Sequence, residues 1–204
     1  SGRAGPCLDR TTALRLRLEN LESEADPPAA TELAAALEES DRMSRLVDGL
    51  LALARADKAA STATAEVVDL RATLAERRDI WLPVAEERGV DLVVEAGPSL
   101  QGLATPDRVS QVLDNLLDNA LEVSPGGSTI RLTVVATPTG PAIHVADQGP
   151  GMTPDQRERA FDRFWQGPEG TGSSGLGLAI VQKLVQADGG HVDLREARGG
   201  GLDA

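Results

Sequence analysis

The spacing of apolar residues changes near residue 60 of this 204-residue chain, and this change constrains the fold more than any other feature. Before that point, apolar residues recur at helical spacing in two segments, which the sequence Ala25-Asp26-Pro27-Pro28 separates. Because proline removes a backbone donor and fixes the turn, the first helix, with Leu14, Leu18 and Leu21 on one stripe, ends there. The second pattern runs at near-heptad spacing from about Ala29 to Asp57. The two segments predict an antiparallel helical hairpin.

The predicted hairpin leaves apolar surface that two helices cannot bury by themselves. A four-helix bundle made from two copies buries both stripes, so we expect a homodimer. The following stretch, Lys58–Ala65, is small and polar and has no apolar periodicity, which is typical of a linker. We therefore predict a helical hairpin domain over residues 1–58, a linker over 59–66 and a second domain over 67–204.

The second domain mixes helical and strand patterns. The predicted helices are Asp69–Arg88, Pro106–Val123 and Gly175–Asp188, and the predicted strands are Val90–Glu95, Thr129–Ala136, Ala142–Ala146 and His191–Arg195. This order predicts an α+β fold with a mixed sheet and helices.

Composition narrows the classes of function. The formal net charge of -12 argues against a surface that binds nucleic acid through clustered Lys and Arg. No segment approaches the roughly 18 apolar residues that a membrane span needs. The single cysteine, Cys7, cannot form an internal disulfide, which favours a reducing cytoplasm. The two histidines, His144 and His191, are the imidazoles available for chemistry within this sequence.

The predicted helix Pro106–Val123 is strongly amphipathic. One narrow face carries Arg108, Gln111, Asn115, Asn119 and Glu122, and the opposite face is apolar. A solvent-exposed face would explain this pattern. Two asparagines one turn apart, however, cost helix propensity, and a carboxamide oxygen is a hard ligand suited to Mg²⁺. They could therefore hold a metal-bound anion.

A second candidate segment is Asp147-Gln148-Gly149-Pro150-Gly151, which directly follows the apolar run Ile143–Ala146. The pattern places Asp147 at a strand end, and glycines shape the loop after it. A simple turn would explain these residues. Alternatively, a desolvated carboxylate there accepts a hydrogen bond from an exocyclic amine, while the glycines let the backbone approach a flat ring. An adenine would satisfy this arrangement.

A third segment, Ser173-Ser174-Gly175-Leu176-Gly177-Leu178, opens a predicted helix. Backbone amides that no side chain covers favour an anion at such an N-terminus, although glycines also serve close packing. Upstream, Gly167, Gly170 and Gly172 indicate a lid. The aromatic cluster Phe161–Trp165 is expected to pack the base of this lid onto the core.

The order of these segments resembles the histidine kinases of the GHKL ATPase superfamily. The matching motifs are Asn-Leu-Leu-Asp-Asn-Ala (115–120), Asp-x-Gly-x-Gly (147–151), Phe-Asp-Arg-Phe (161–164) and Gly-Leu-Gly-Leu (175–178). The resemblance covers residues 12–204. It implies an α/β sandwich ATP-binding domain of the GHKL (Bergerat) type behind a dimerising, phosphotransferring hairpin.

The resemblance also implies roles for individual residues. Asn119 would coordinate the Mg²⁺ that bridges the triphosphate of ATP, and Asn115 would contact the same phosphates and water. Asp147 would hold the adenine amine above a floor formed by Gly149 and Gly151. The backbone at Gly175, Leu176 and Gly177 would face the phosphates, with residues 152–174 as the lid. The implied reaction moves the γ-phosphate of ATP to a histidine of the hairpin and then to an aspartate of a response-regulator receiver domain.

The sequence departs from the family pattern at two positions after the paired asparagines. The family commonly has a basic residue and then an aromatic residue there, and this chain has Glu122 and Val123. Phosphate affinity would be weaker as a result, unless Arg108, Arg159 or Arg163 supplies the basic contact.

The ends of the chain depart from the family as well. Counting back from Thr12-Ala13-Leu14-Arg15-Leu16 places the phosphoacceptor histidine at Gly5, so autophosphorylation of this chain is not expected. Either foreign or altered residues stand there, or the protein is a natural degenerate kinase. Gly199-Gly200-Gly201 indicates a hairpin turn whose return strand has only begun by Ala204, so we expect the domain to continue.

Three functions stay open at this point. The first is an ATP-dependent protein-histidine kinase, the cytoplasmic part of a protein anchored in the cell membrane. The second is a serine kinase of the anti-sigma-factor type, against which the long hairpin counts. The third is a dimeric nucleotide sensor or scaffold without phosphotransfer, which Glu122, Val123 and the missing acceptor favour.

Overall fold

The computed structural model describes residues 64–95, 97–167 and 175–204. Several predictions lie outside these residues: the helical hairpin of residues 1–58, most of the linker, Gly5 at the expected acceptor position, and residues 168–174 of the predicted lid. Within the described part, no helix is long and apolar enough to cross a membrane.

The described residues form seven strands and four helices. The strands are β1 (Glu66–Asp69), β2 (Asp91–Val94), β3 (Gln101–Ala104), β4 (Thr129–Thr137), β5 (Gly140–Ala146), β6 (Arg195–Glu196) and β7 (Leu202–Asp203). The helices are α1 (Leu70–Glu87), α2 (Pro106–Val123), α3 (Pro154–Arg159) and α4 (Gly177–Ala187). This content agrees with the predicted α+β class.

The strands form two sheets. A five-stranded sheet has the order β2-β4-β5-β7-β6, in which β2 and β4 are parallel and the other neighbours are antiparallel. A separate antiparallel ribbon joins β1 to β3. The predicted mixed sheet is therefore present.

An apolar core joins the large sheet to α1, α2 and α4. On β4 the buried residues Ile130, Leu132 and Val134 alternate with partly exposed ones, as expected of a strand with one covered face. Fully buried leucines from α1 and α2, including Leu74 and Leu117, pack against that face. Burying each such side chain stabilises the fold by roughly 1.5–3 kcal/mol.

The strongest sequence patterns predicted element bounds closely. The helix Pro106–Val123 has the bounds that its amphipathic pattern and Pro106 predicted. The predicted limits of α1, Asp69 and Arg88, are the two residues that cap the helix. The Asp69 side chain accepts a hydrogen bond from the Ala72 amide at the N-terminus, and Arg88 is the C-cap.

Other predictions need correction. Residues 191–194, predicted as strand, lie outside the sheet, because the pairing of β6 with β7 involves only Arg195 and Glu196. Glu66, the last residue of the predicted linker, is the first residue of β1. The elements β1, β3 and α3 have no counterpart in the predicted set, since four to six residues carry too little periodicity to detect.

Candidate functional site

Most of the predicted site residues line one cavity between α2, the β5–α3 loop, the start of α4 and β7. These are Asn119, Asp147, Gly151, Gly175 and Gly177. Apolar walls come from α2, β5, the β5–α3 loop and β7, namely Leu116, Ala120, Val145, Met152 and Leu202. The mixed apolar and polar lining suits a nucleotide.

Asp147 provides a buried carboxylate at the end of β5. Its side chain is 5% exposed, and its Oδ1 accepts hydrogen bonds from the Gly149 amide at 2.8 Å and the Leu202 amide at 3.1 Å. Burial raises the pKa of Asp147 above its usual value, and the two backbone hydrogen bonds act in the opposite direction. Among the described residues, none donates a hydrogen bond to Oδ2. That oxygen is available to an amine in the cavity.

The glycines around Asp147 bring three backbone segments together. A Cβ at Gly149 would lie 2.9 Å from both the carbonyl oxygen and a methyl group of Val123. Gly151 has a φ of 70°, and its Cβ would lie 3.0 Å from the Gly201 carbonyl oxygen. Gly149 thus serves close packing below the cavity, and it is not among the residues that line the cavity.

Asn119 stands against the first residue of α4. A Cβ at Gly177 would lie 3.1 Å from both the oxygen and the nitrogen of the Asn119 carboxamide. The Asn119 Nδ2 atom is buried and has no hydrogen-bond partner in the described structure. A buried amide without a partner costs free energy, roughly 1–3 kcal/mol, which a bound polar group can recover.

Asn115 and Leu176 occupy different surroundings from Asn119. The Asn115 Nδ2 donates to the Gln111 carbonyl at 2.8 Å, and Asn115 is half-buried outside the cavity lining. Leu176 is fully buried, so its side chain belongs to the core and its backbone precedes the helix. Neither side chain is therefore part of the cavity lining.

The polar face of α2 is not exposed to solvent, although a solvent-exposed face was one explanation of its amphipathic sequence. The Arg108 side chain is 8% exposed and pairs with Asp188 at 2.6 Å, a carboxylate that follows the end of α4. Asn119, on the same face, meets Gly177 at the start of α4. The face packs against another helix because both helices bury apolar residues in one core.

The basic residues expected to replace a phosphate contact lie elsewhere. Arg108 is in the buried ion pair and does not line the cavity. Arg159 and Arg163 line an adjacent surface cleft, which shares residues 165–167 with the cavity. Glu122 and Val123 do line the cavity.

The aromatic cluster differs in part from its prediction. Trp165 lines the cavity, but Phe164 is 57% exposed and so does not pack onto the core. Its φ of 64° is unusual for a residue with a Cβ. Phe164 donates a backbone hydrogen bond to Gly175 at 2.8 Å, and a Cβ at Gly175 would lie 2.6 Å from the Trp165 carbonyl oxygen. The close approach of these backbones requires glycine at 175.

Residues 104–203 match the family of histidine kinase-, DNA gyrase B- and HSP90-like ATPases. The sensor protein SrrB of Staphylococcus aureus is 31% identical over an alignment of 176 residues, which covers 83% of this chain and 30% of SrrB. This chain belongs to the sensor histidine kinase type of that family. The kinase core spans about 30% of the length of the curated relatives that it matches.

Solved structures of histidine kinases resemble the kinase core in fold. Full-length ShkA in complex with AMPPNP is 29% identical with a TM-score of 0.68, covering 96% of this chain and 43% of ShkA. The mycobacterial sensor histidine kinase MprB is 28% identical with a TM-score of 0.58, covering 68% of this chain and 93% of MprB.

Sequence reasoning missed the part of β7 that completes the site of the kinase core. The Leu202 amide donates to the Asp147 carboxylate, and the Leu202 side chain lines the cavity. Gly201 precedes it with a φ of 92°, and a Cβ there would overlap the Asp147 carbonyl oxygen. Three consecutive glycines were the available signal, but they do not show which segment they approach.

Proposed function

We propose that the cavity binds Mg²⁺-ATP and that the chain is the kinase core of a two-component sensor histidine kinase. The supporting observation is that two polar residues line the same cavity: Asp147, whose Oδ2 accepts no hydrogen bond from the described residues, and Asn119, whose buried Nδ2 has no partner among them. In this proposal Asp147 Oδ2 accepts a hydrogen bond from the adenine amine. Gly151 and Met152, in the loop that follows, also line the cavity and would contact the adenine ring.

Asn119 and the start of α4 serve the phosphate end of the nucleotide. The Asn119 carboxamide has the donor chemistry of a Mg²⁺ ligand and lies where Gly177 leaves room for it. The backbone from Gly175 to Gly177 opens α4, so its amides favour an anion. When bound, Mg²⁺ neutralises phosphate charge. Asn115, four residues earlier on α2, would act through water.

The proposed reaction transfers the γ-phosphate to a histidine of a helical hairpin. A histidine ring nitrogen forms the bond to phosphorus while the bond from phosphorus to the bridging oxygen breaks, and ADP leaves. The phosphoryl group then passes to an aspartate of a response regulator. We further propose a homodimer built through the hairpin and a membrane anchor elsewhere in the whole protein, placing this chain in the cytoplasm.

Nucleotide binding tests the site directly. We expect Asp147→Asn and Asn119→Ala each to weaken binding of a Mg²⁺-ATP analogue by about tenfold or more, because each removes a polar contact within a desolvated site. Calorimetry would measure the affinities, with Glu158→Gln on the exposed side of α3 as a control. Unchanged affinity in both variants would refute the assignment.

A mixing experiment tests the reaction. Labelled ATP would be incubated with this chain and a separate helical hairpin that carries an intact acceptor histidine. Acid-labile phosphate on the hairpin supports the histidine kinase, and acid-stable phosphate indicates a hydroxyl acceptor. ATP binding without any label would instead support a nucleotide sensor, the reading that Glu122 and Val123 in the cavity lining favour.

A further inference from the structure

We propose that the buried ion pair between Arg108 and Asp188 positions the Asn119 carboxamide at the nucleotide site. The pair determines how far α4 slides along α2, and therefore which residue of α4 stands against Asn119. Arg108 and Asp188 are positioning residues in this inference, which rests on the proposed binding of Mg²⁺-ATP. Neither residue lines the cavity.

The Asp188 carboxylate joins the end of α4 to the start of α2 through three contacts. Its Oδ1 accepts hydrogen bonds from Arg108 Nη1 at 2.6 Å and from Thr105 Oγ1 at 2.9 Å. Its Oδ2 accepts a hydrogen bond from the Thr105 amide at 2.9 Å. Thr105 is the N-cap of α2 but makes no capping bond with its own side chain. A carboxylate from α4 therefore sits at the positive end of α2, where a negative charge is stabilised.

The opposite end of the same helix pair forms the nucleotide site. Asn119 lies eleven positions after Arg108 on α2, and Asp188, the C-cap of α4, lies eleven positions after Gly177. The two contacts thus lie about 16 Å apart along both antiparallel helices, at 1.5 Å per residue. Because the two spacings are equal, the helix register that brings Asp188 to Arg108 also brings Gly177 to Asn119.

The register matters because Gly177 has leucine on both sides. A Cβ at position 177 would already lie 3.1 Å from both polar atoms of Asn119. A slide of α4 by about 1.5 Å, the rise of one residue, would move Gly177 away from the carboxamide, and a flanking leucine would take its place only if α4 also rotated by about 100°. Either movement changes the space beside Asn119 in which the metal ion and phosphates are proposed to bind. The ion pair resists such a shift because an unpaired buried charge is strongly destabilising.

The test compares two carboxylates that each join a pair of helices. Asp188 joins the end of α4 to α2, and Asp114 joins α2 to α1. Asp188→Asn removes the charge that pairs α4 with α2. The matched control is Asp114→Asn, because Asp114 on α2 instead accepts hydrogen bonds from Trp81 at 2.8 Å and Arg77 at 3.5 Å on α1. For each full-length variant we would measure the unfolding midpoint and the affinities for a Mg²⁺-ATP analogue and for adenosine.

We expect Asp188→Asn to weaken binding of the Mg²⁺-ATP analogue by about tenfold, because displacing the Asn119 carboxamide removes a polar contact within a desolvated site. Adenosine, which occupies the Asp147 end, should keep its affinity. Asp114→Asn should lower the unfolding midpoint and leave both affinities unchanged. A lower midpoint without a change in affinity for Asp188→Asn, or an equal loss for both ligands, would overturn the proposal.

A second variant and a spectroscopic readout keep the inference separate from the proposed function. Thr105→Val removes one contact to Asp188 and should give the same pattern with a smaller change, even if Asp188→Asn does not fold. Without nucleotide, the Asn119 side-chain amide signals in ¹⁵N NMR spectra should move in both variants. If the wild-type chain binds no nucleotide, the proposed function fails. The amide signals still test whether the ion pair positions Asn119, and signals that do not move in the variants would refute that positioning.

Discussion

The two carboxylate oxygens of Asp147 differ in their hydrogen bonding. Oδ1 is held by the amides of Gly149 and Leu202, and Oδ2 has no donor among the described residues. Burial of the charged form raises the pKa of Asp147, so the site opposes ionisation and lowers the stability of the folded chain at neutral pH. A residue kept in such surroundings is typical of a functional site.

The raised pKa predicts how stability depends on pH. A carboxyl whose folded pKa exceeds its unfolded value of 3.8 contributes stability below that value, and the contribution is lost as pH rises through the folded pKa. Asp147→Asn does not titrate. We therefore expect the stability of the wild type to fall relative to this variant as pH rises from about 3 to about 7. Urea unfolding of both chains would measure this, and a constant difference would contradict it.

Glu122 places a carboxylate in the lining of a cavity that we propose for a triphosphate. We expect Glu122→Lys to tighten ATP binding by about tenfold, with a larger gain at low salt, because it replaces repulsion by attraction near the phosphates. Glu158→Lys on exposed α3 is the control for net charge. Equal gains in the two variants would show that Glu122 has no local effect.

The two-residue strand β7 links the sheet to the site. Two hydrogen bonds join Asp147 and Leu202: the Asp147 amide donates to the Leu202 carbonyl at 2.9 Å, and the Leu202 amide donates to the Asp147 side-chain carboxylate at 3.1 Å. The preceding turn brings the Gly201 carbonyl to Gly151. The shape of the cavity beside Asp147 therefore depends on an element more than fifty residues away in sequence.

Substitutions in the glycine turn before β7 should separate backbone strain from steric overlap. Gly200 and Gly201 have φ angles of 97° and 92°, but a Cβ at Gly200 meets nothing within 4 Å, whereas one at Gly201 overlaps Asp147. Gly200→Ala should cost about 1–2 kcal/mol of stability, the strain of a left-handed residue. Gly201→Ala should cost more and also weaken nucleotide binding. Denaturant unfolding and calorimetry would test this, and equal effects would contradict it.

The whole chain combines a described ATPase domain with a predicted hairpin of residues 1–58. If the hairpin dimerises the protein, the 204-residue chain should sediment as a dimer. A fragment of residues 64–204 should sediment as a monomer, because it lacks the apolar faces of the hairpin that would pair in the dimer. Both should bind Mg²⁺-ATP with similar affinity, since the cavity residues all lie in the fragment. Sedimentation at several concentrations would measure the masses, and a dimeric fragment would refute this division.

The sequence by itself determined the elements with long periodic patterns and the order of the site motifs. The eighteen residues of α2 were predicted to the residue, and Asp147 was placed at the end of β5. Helical periodicity and strand-end position are local properties of the chain. The ATPase family resemblance followed from motif order alone.

The tertiary structure alone decided which surfaces meet. The polar face of α2 packs against α4, Phe164 is exposed, and β7 closes the site beside Asp147. Short elements such as β1, β3 and β7 carry too few residues for a periodic signal, so pairing with distant strands defines them. The difference is physical: periodicity sets the conformation of a segment, whereas burial of shared apolar surface selects its neighbours.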